Sequence, residues 1–102
     1  MTYKDLIVWQ KADALAIKVY KVTKKFPKDE KYGITSQIRR AALSIPTNVV
    51  EGYARKGDKE LARFVSIAIA SAAETEYLLD FSKDSAICQN MIINNLKRCA
   101  VK

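Results

Sequence analysis

Between Gln37 and Arg55 six polar residues recur at spacings of three and four: Gln37, Arg40, Ser44, Asn48, Glu51 and Arg55. On a helix that spacing makes one stripe. It offers two guanidinium groups, two carboxamides, a carboxylate and a hydroxyl. Such groups can hold a ligand or bond one another. Turning a substrate over needs more, and the chain lacks the usual means. It has no histidine, which removes the commonest general base and the commonest metal ligand. It has no Cys-x-x-Cys, no phosphate-binding glycine loop and no nucleophile elbow. The Glu-x-x-His pairs of a di-iron bundle cannot be made. Glu74 and Glu76 stand two apart in SAAETEYLL, so a helix points them to different faces. We therefore expect no enzyme, no cofactor and no metal. Were there catalysis after all, Glu51 or Glu74 would be the carboxylate to carry it.

The expected use of the stripe is internal. Arg39 or Arg40 would pair with Glu74 of a neighbouring helix, while Ser44 and Asn48 would satisfy groups near Pro46. Gln37, Arg39, Arg40, Ser44, Asn48, Glu51 and Glu74 then form one polar network that fixes the register of helices or of subunits. The alternative is a groove for a ligand or for RNA.

A second chemistry is available on the basic residues. Lys and Arg number 18 against 11 acids, a net charge of +7. Lys18, Lys21, Lys24, Lys25, Lys28 and Lys31 form a row, and Arg55, Lys56, Lys59 and Arg63 cluster further on. Phosphate contact needs only cations on one side. Lys18, Lys21, Lys25, Arg55, Lys56, Lys59 and Arg63 are the expected nucleic-acid-binding residues, with a merely solvated face as the other reading. No stacking aromatics interleave with the row, so reading of an RNA sequence is not supported.

Helices must position these groups. Val8, Ala12, Leu15, Val19, Val22 and Phe26 repeat at 4-3-4-3-4, which predicts a helix over about 6–25 with Asp5 as its cap. Trp9, Ala16, Tyr20 and Thr23 widen its apolar face. Phe26-Pro27 stops it. A second helix is predicted over 35–54, capped by Thr35 or Ser36, with Ile38, Ala41, Ile45, Val49 and Gly52 as its apolar stripe. Pro46 interrupts its middle. Both stripes keep their phase across the proline, which favours a kink over a break. The carbonyl of Ala42, freed by Pro46, would take a bond from a water or from a nearby side chain, with Ser44, Thr47 and Asn48 close by. Gly57 and Asp58 suit the turn to a third helix over 59–81. Its Ala- and Ser-rich stretch from Ser66 to Ala73 should lie close against the second helix. Ser85 could cap a fourth helix over 86–100, with Ile87, Cys88, Met91, Ile92, Leu96 and Cys99 on one face. Four such helices with short connections make an all-α, up-down-up-down bundle.

A chain of 102 residues with three glycines and two prolines suits one domain, 1–102, of few long elements. No apolar run reaches the roughly 18 to 20 residues of a membrane span, and no cleavage site follows the short apolar run near the start. A cytoplasmic protein without membrane contact is expected. Cys88 and Cys99, on one helix, would be about 16 Å apart in rise, too far for a disulfide.

YKDLIVWQKA at the start, FPKDEKYGITSQIRRAALSIPTNVVEGYARK in the middle and ELARFVSIAIASAAETE later together resemble the four-helix-bundle family of the rRNA intervening-sequence proteins. The resemblance covers about 3–80. It is carried by Gln37, Arg39-Arg40-Ala41-Ala42, Ser44-Ile45-Pro46, Asn48, Glu51-Gly52, Arg55, Glu60 and Phe64. The chain departs at Ala70-Ser71, where the family has Gly-Ser, and over 80–102. The resemblance implies a bundle assembled into a homo-oligomeric ring, a pentamer in the family. It is similar also to the accessory variability protein of diversity-generating retroelements, a basic pentamer that binds nucleic acid and a reverse transcriptase. The partners implied are therefore further copies of the chain, RNA or DNA, and a protein of the reverse-transcriptase type. An adaptor that meets only the protein partner is the alternative to a nucleic-acid binder.

Overall fold

The structure is a computed structural model, and it describes residues 1–30 and 32–84. Within them the chain is all-α: helices α1 (Ile7–Thr23), α2 (Ile34–Ala54) and α3 (Asp58–Asp84). Short 3-10 turns at Tyr3–Asp5 and Lys28–Glu30 precede α1 and α2. The predicted fourth helix, its cap Ser85, and Cys88 and Cys99 lie outside the described residues. No described helix is long and apolar enough to cross a membrane.

Helix ends differ from expectation in physically simple ways. Asp5 does not cap α1. Its carboxylate accepts the Thr2 amide at 2.9 Å, while the Thr2 hydroxyl accepts the Lys4 amide at 3.2 Å. That reciprocal box closes the 3-10 turn and leaves Leu6 at the cap position of α1 without a side-chain bond. Neither Thr35 nor Ser36 caps α2. Its cap position is Gly33, again without a side-chain bond, and Thr35 is turned inward and buried. At the α2–α3 turn two residues in succession take positive φ, Lys56 at 55° and Gly57 at 115°. Only the second is a residue type that adopts it freely.

α2 is central, packed against both α1 and α3. It runs through Pro46 without a break. Among the described residues the side chains after Pro46 bond other carbonyls than that of Ala42: Thr47 donates to the Leu43 carbonyl at 2.7 Å and Asn48 to the Ser44 carbonyl at 2.8 Å. One half of the core joins Ala16, Val19, Phe26, Ile38, Ala41, Ala42 and Leu78. The other joins Ala12, Ile45, Val49 and Ala68, with Leu6, Trp9 and Ala72 against them. Gly52 lets α3 come close. A Cβ there would stand 2.7 Å from the Phe64 Cβ and 3.3 Å from the Leu61 Cα.

The heptad of α1 divides. Ala12, Val19 and Phe26 are buried and share the core with Ala16 and Thr23. Val8, Leu15 and Val22 stay 44%, 39% and 44% exposed. Leu15 and Val22 border a groove of about 510 Å³ between α1 and α3, with Ala72, Thr75 and Leu79 on the far wall.

Candidate nucleic-acid interface

Lys11, Lys18, Lys21, Lys24, Lys25 and Lys28 are all exposed. Lys11, Lys18 and Lys21 project from the side of α1 opposite Ala12, Ala16, Val19 and Thr23, because the helical rotation of about 100° per residue separates the two sets, and Lys25 follows in the turn after the helix. From Lys11 to Lys28 there are six cations and one acid, Asp13, a local charge of +5. Among the described residues none of these lysines enters an ion pair: the salt bridges there are Arg55–Glu51, Arg55–Glu60 and Arg63–Glu60.

The predicted cluster at the α2–α3 turn is different. Arg55 reaches Glu51 at 3.1 Å and Glu60 at 3.8 Å, and Arg63 reaches Glu60 at 3.5 Å. Both guanidinium groups also stand over the Phe64 ring, 5.0 and 5.1 Å from its centre. Lys56 and Lys59 alone remain exposed without an ion pair. With Asp58 included, four cations face three acids over 51–63. The turn is a near-neutral cluster, and among the described residues the more cationic stretch is the α1 row.

The polar stripe is only partly one network. The Ser44 and Ser71 hydroxyls meet at 2.8 Å, and Asn48 donates to the Ser44 hydroxyl at 2.9 Å. This bonds α2 to α3 side chain to side chain. Glu51 belongs with Arg55. Gln37, Arg40 and Glu74 line an open polar cleft with Ala41, Ser44 and Ser71. Among the described residues, no ion pair joins Arg39 or Arg40 to Glu74. Arg39 goes the other way. Its Nε donates to the Thr23 hydroxyl at 2.8 Å and its Nη2 to the Tyr20 carbonyl at 3.3 Å, with the guanidinium 4.8 Å from the Tyr20 ring centre. Arg39 and Arg40 are neighbours in sequence, so the helical rotation sends them to opposite partners.

The Thr23 hydroxyl in turn donates to the Val19 carbonyl at 2.8 Å, so a buried polar relay ties α2 to the end of α1. Beside it the buried Thr35 hydroxyl has no partner among the described residues. It borders a cavity of about 220 Å³ with Thr23, Phe26, Pro27 and Arg39. Sequence reasoning missed Thr23, Tyr20, Ser71 and Phe64. A helical apolar face does not announce which of its members takes a bond. For Ser71 a signal existed, its place in the small-residue stretch.

The comparisons follow the same outline. A family model described as 23S rRNA-intervening sequence protein matches residues 4–102. The match reaches past 80, where the resemblance of the motifs was expected to fade, and takes in the C-terminal segment. Among curated proteins there is no match.

Proposed function

Because the chain belongs to the 23S rRNA-intervening sequence protein family, we propose that it is a non-enzymatic, homo-oligomeric four-helix bundle whose α1 lysine row contacts nucleic acid, RNA first. The supporting observation is the row itself: exposed lysines on one helix face, none of them neutralised by an acid among the described residues. Phosphate backbones bind such a surface through release of their counterions.

The fourth helix of this reading is the segment 86–100. The reading takes Ile87, Met91, Ile92 and Leu96 as its apolar face and the apolar groove between α1 and α3 as the place left for that face. Residues 85–102 hold no acid and three cations, Lys97, Arg98 and Lys102, so their charge cannot neutralise the α1 row. Copies of the bundle then join in a ring, a pentamer by analogy with the family.

Two measurements test this reading. Fluorescence anisotropy with a labelled structured RNA should show binding at about 50 mM salt and a steep loss by about 200 mM. Absence of binding at low salt removes the nucleic-acid role. Light scattering at micromolar concentration should give a mass several times that of one chain, and a stable monomer removes the ring.

A further inference from the structure

We infer that the nucleic acid held on α1 is double-stranded, gripped along its backbone without contact to the base faces; this rests on the proposed nucleic-acid role. A single strand is bound by two chemistries in one groove: cations that follow the phosphates, and aromatic rings on which successive bases stack. In this molecule the two lie apart.

Consider first the rings near the cations. Tyr20 sits on α1 between Lys18 and Lys21, but the Arg39 guanidinium already occupies its face at 4.8 Å. Tyr3 and Trp9 stack edge to face on each other at 5.1 Å, and Trp9 packs against the core. Phe26 is buried. Tyr32, beyond the Lys28–Glu30 turn, is one ring where a strand needs several. Lys11, Lys18, Lys21 and Lys25 thus share their face with Ile7, Ala14 and no aromatic residue.

The exposed rings are elsewhere. Tyr77 and Phe81 are 64% and 47% exposed and pack on each other at 6.4 Å. They stand on α3 among Glu74, Glu76 and Asp80, with Lys83 as the single cation over 74–83. A local charge of −2 repels a phosphate backbone. Among the described residues, stacking and cationic surfaces therefore lie apart.

A duplex asks for cations alone, because its bases already stack on each other. The row from Lys11 to Lys21 spans about 15 Å of helix at 1.5 Å per residue, and Lys25 follows in the turn after α1; together they make a convex edge of point charges. That shape meets phosphates from outside. It brings no amide or guanidinium fork to a base edge, so it carries no sequence preference.

The test compares three labelled probes of equal length, about 20 nucleotides or pairs, in anisotropy titrations of the full chain at about 50 mM salt. The probes are an RNA duplex, a DNA duplex and an unstructured single strand. Both duplexes should bind at least about tenfold more tightly than the single strand, and two unrelated duplex sequences should bind alike. The triple substitution Lys18→Gln, Lys21→Gln, Lys25→Gln should abolish the difference and flatten the salt dependence by up to about 2.7 in log–log slope, 0.9 for each duplex phosphate lost, while circular dichroism stays unchanged. A single strand that binds as tightly as the duplexes overturns the inference and leaves the nucleic-acid role intact. Absence of binding to all three removes both.

Discussion

At the scale of single residues, Arg39 is the side chain whose role the structure defines most sharply. Its planar fork bonds the Thr23 hydroxyl and the Tyr20 carbonyl and lies on the Tyr20 ring. A lysine has neither the fork nor the flat face. Arg39→Met keeps the aliphatic stem and deletes the bonds, so it should cost about 1–2 kcal/mol, seen as a melting temperature lower by roughly 5–10 °C. Arg40→Met should leave the melting temperature of the isolated chain within about 2 °C, because Arg40 is exposed and unpaired among the described residues. Equal losses from the two would contradict the assignment. Thr35 makes the opposite case. Its buried hydroxyl bonds nothing among the described residues, and Thr35→Val removes a desolvated polar atom at nearly constant volume. The variant should gain about 1 kcal/mol, read from urea denaturation as a higher midpoint at unchanged slope. A loss would mean that a bound molecule satisfies the hydroxyl. At this scale the sequence showed which residues carry chemistry but not their partners. Arg39 and Arg40 are both arginines at the core edge, and only the rotation of α2 between α1 and α3 separates the relay from the open cleft.

At the scale of elements, periodicity was a good guide to helix positions and a poor one to helix ends. Apolar spacing placed all three described helices, because burial of one face enforces the period. The caps were misjudged because Asp5 and Thr35 have uses that the local sequence does not reveal: a 3-10 box in one case, burial beside α1 in the other. Pro46 shows the same limit. The helix continues through it, and the side chains after it bond the Leu43 and Ser44 carbonyls rather than that of Ala42. Contact between α2 and α3 depends on Gly52, which the sequence marked only as a member of an apolar stripe. A methyl group there would meet the Phe64 Cβ and the Leu61 backbone, and backbone cannot swing aside. Gly52→Ala should therefore destabilise by about 1–3 kcal/mol although alanine is the better helix former. Thermal melts check it. A neutral or stabilising result would mean that α3 can step back from α2 at little cost, contrary to the packing of Phe64 beneath Arg55 and Arg63.

At the scale of the whole molecule, the question is what covers the α1–α3 groove. Ala12, Val19 and Phe26 of the α1 heptad are buried in the core while Leu15 and Val22 border this groove, and a sequence cannot tell the two sets apart, since both follow the same period. If the groove is open to water in the working protein, Val22→Lys adds a solvated charge and costs little. If segment 86–100 lies over it, as the four-helix reading holds, the same substitution buries an unpaired ammonium group. That costs several kcal/mol or forces the covering segment away. Ile7→Lys is the control, since Ile7 is exposed at the first residue of α1, about four turns from Val22, and does not line the groove. We expect Val22→Lys to lower the melting temperature by about 10 °C or more and to increase binding of an apolar dye, with Ile7→Lys near the parent. The comparison also separates bundle from ring. A variant that loses stability at every protein concentration has lost cover supplied by its own chain. One whose loss disappears at high concentration has lost cover supplied by another copy, because only association responds to mass action.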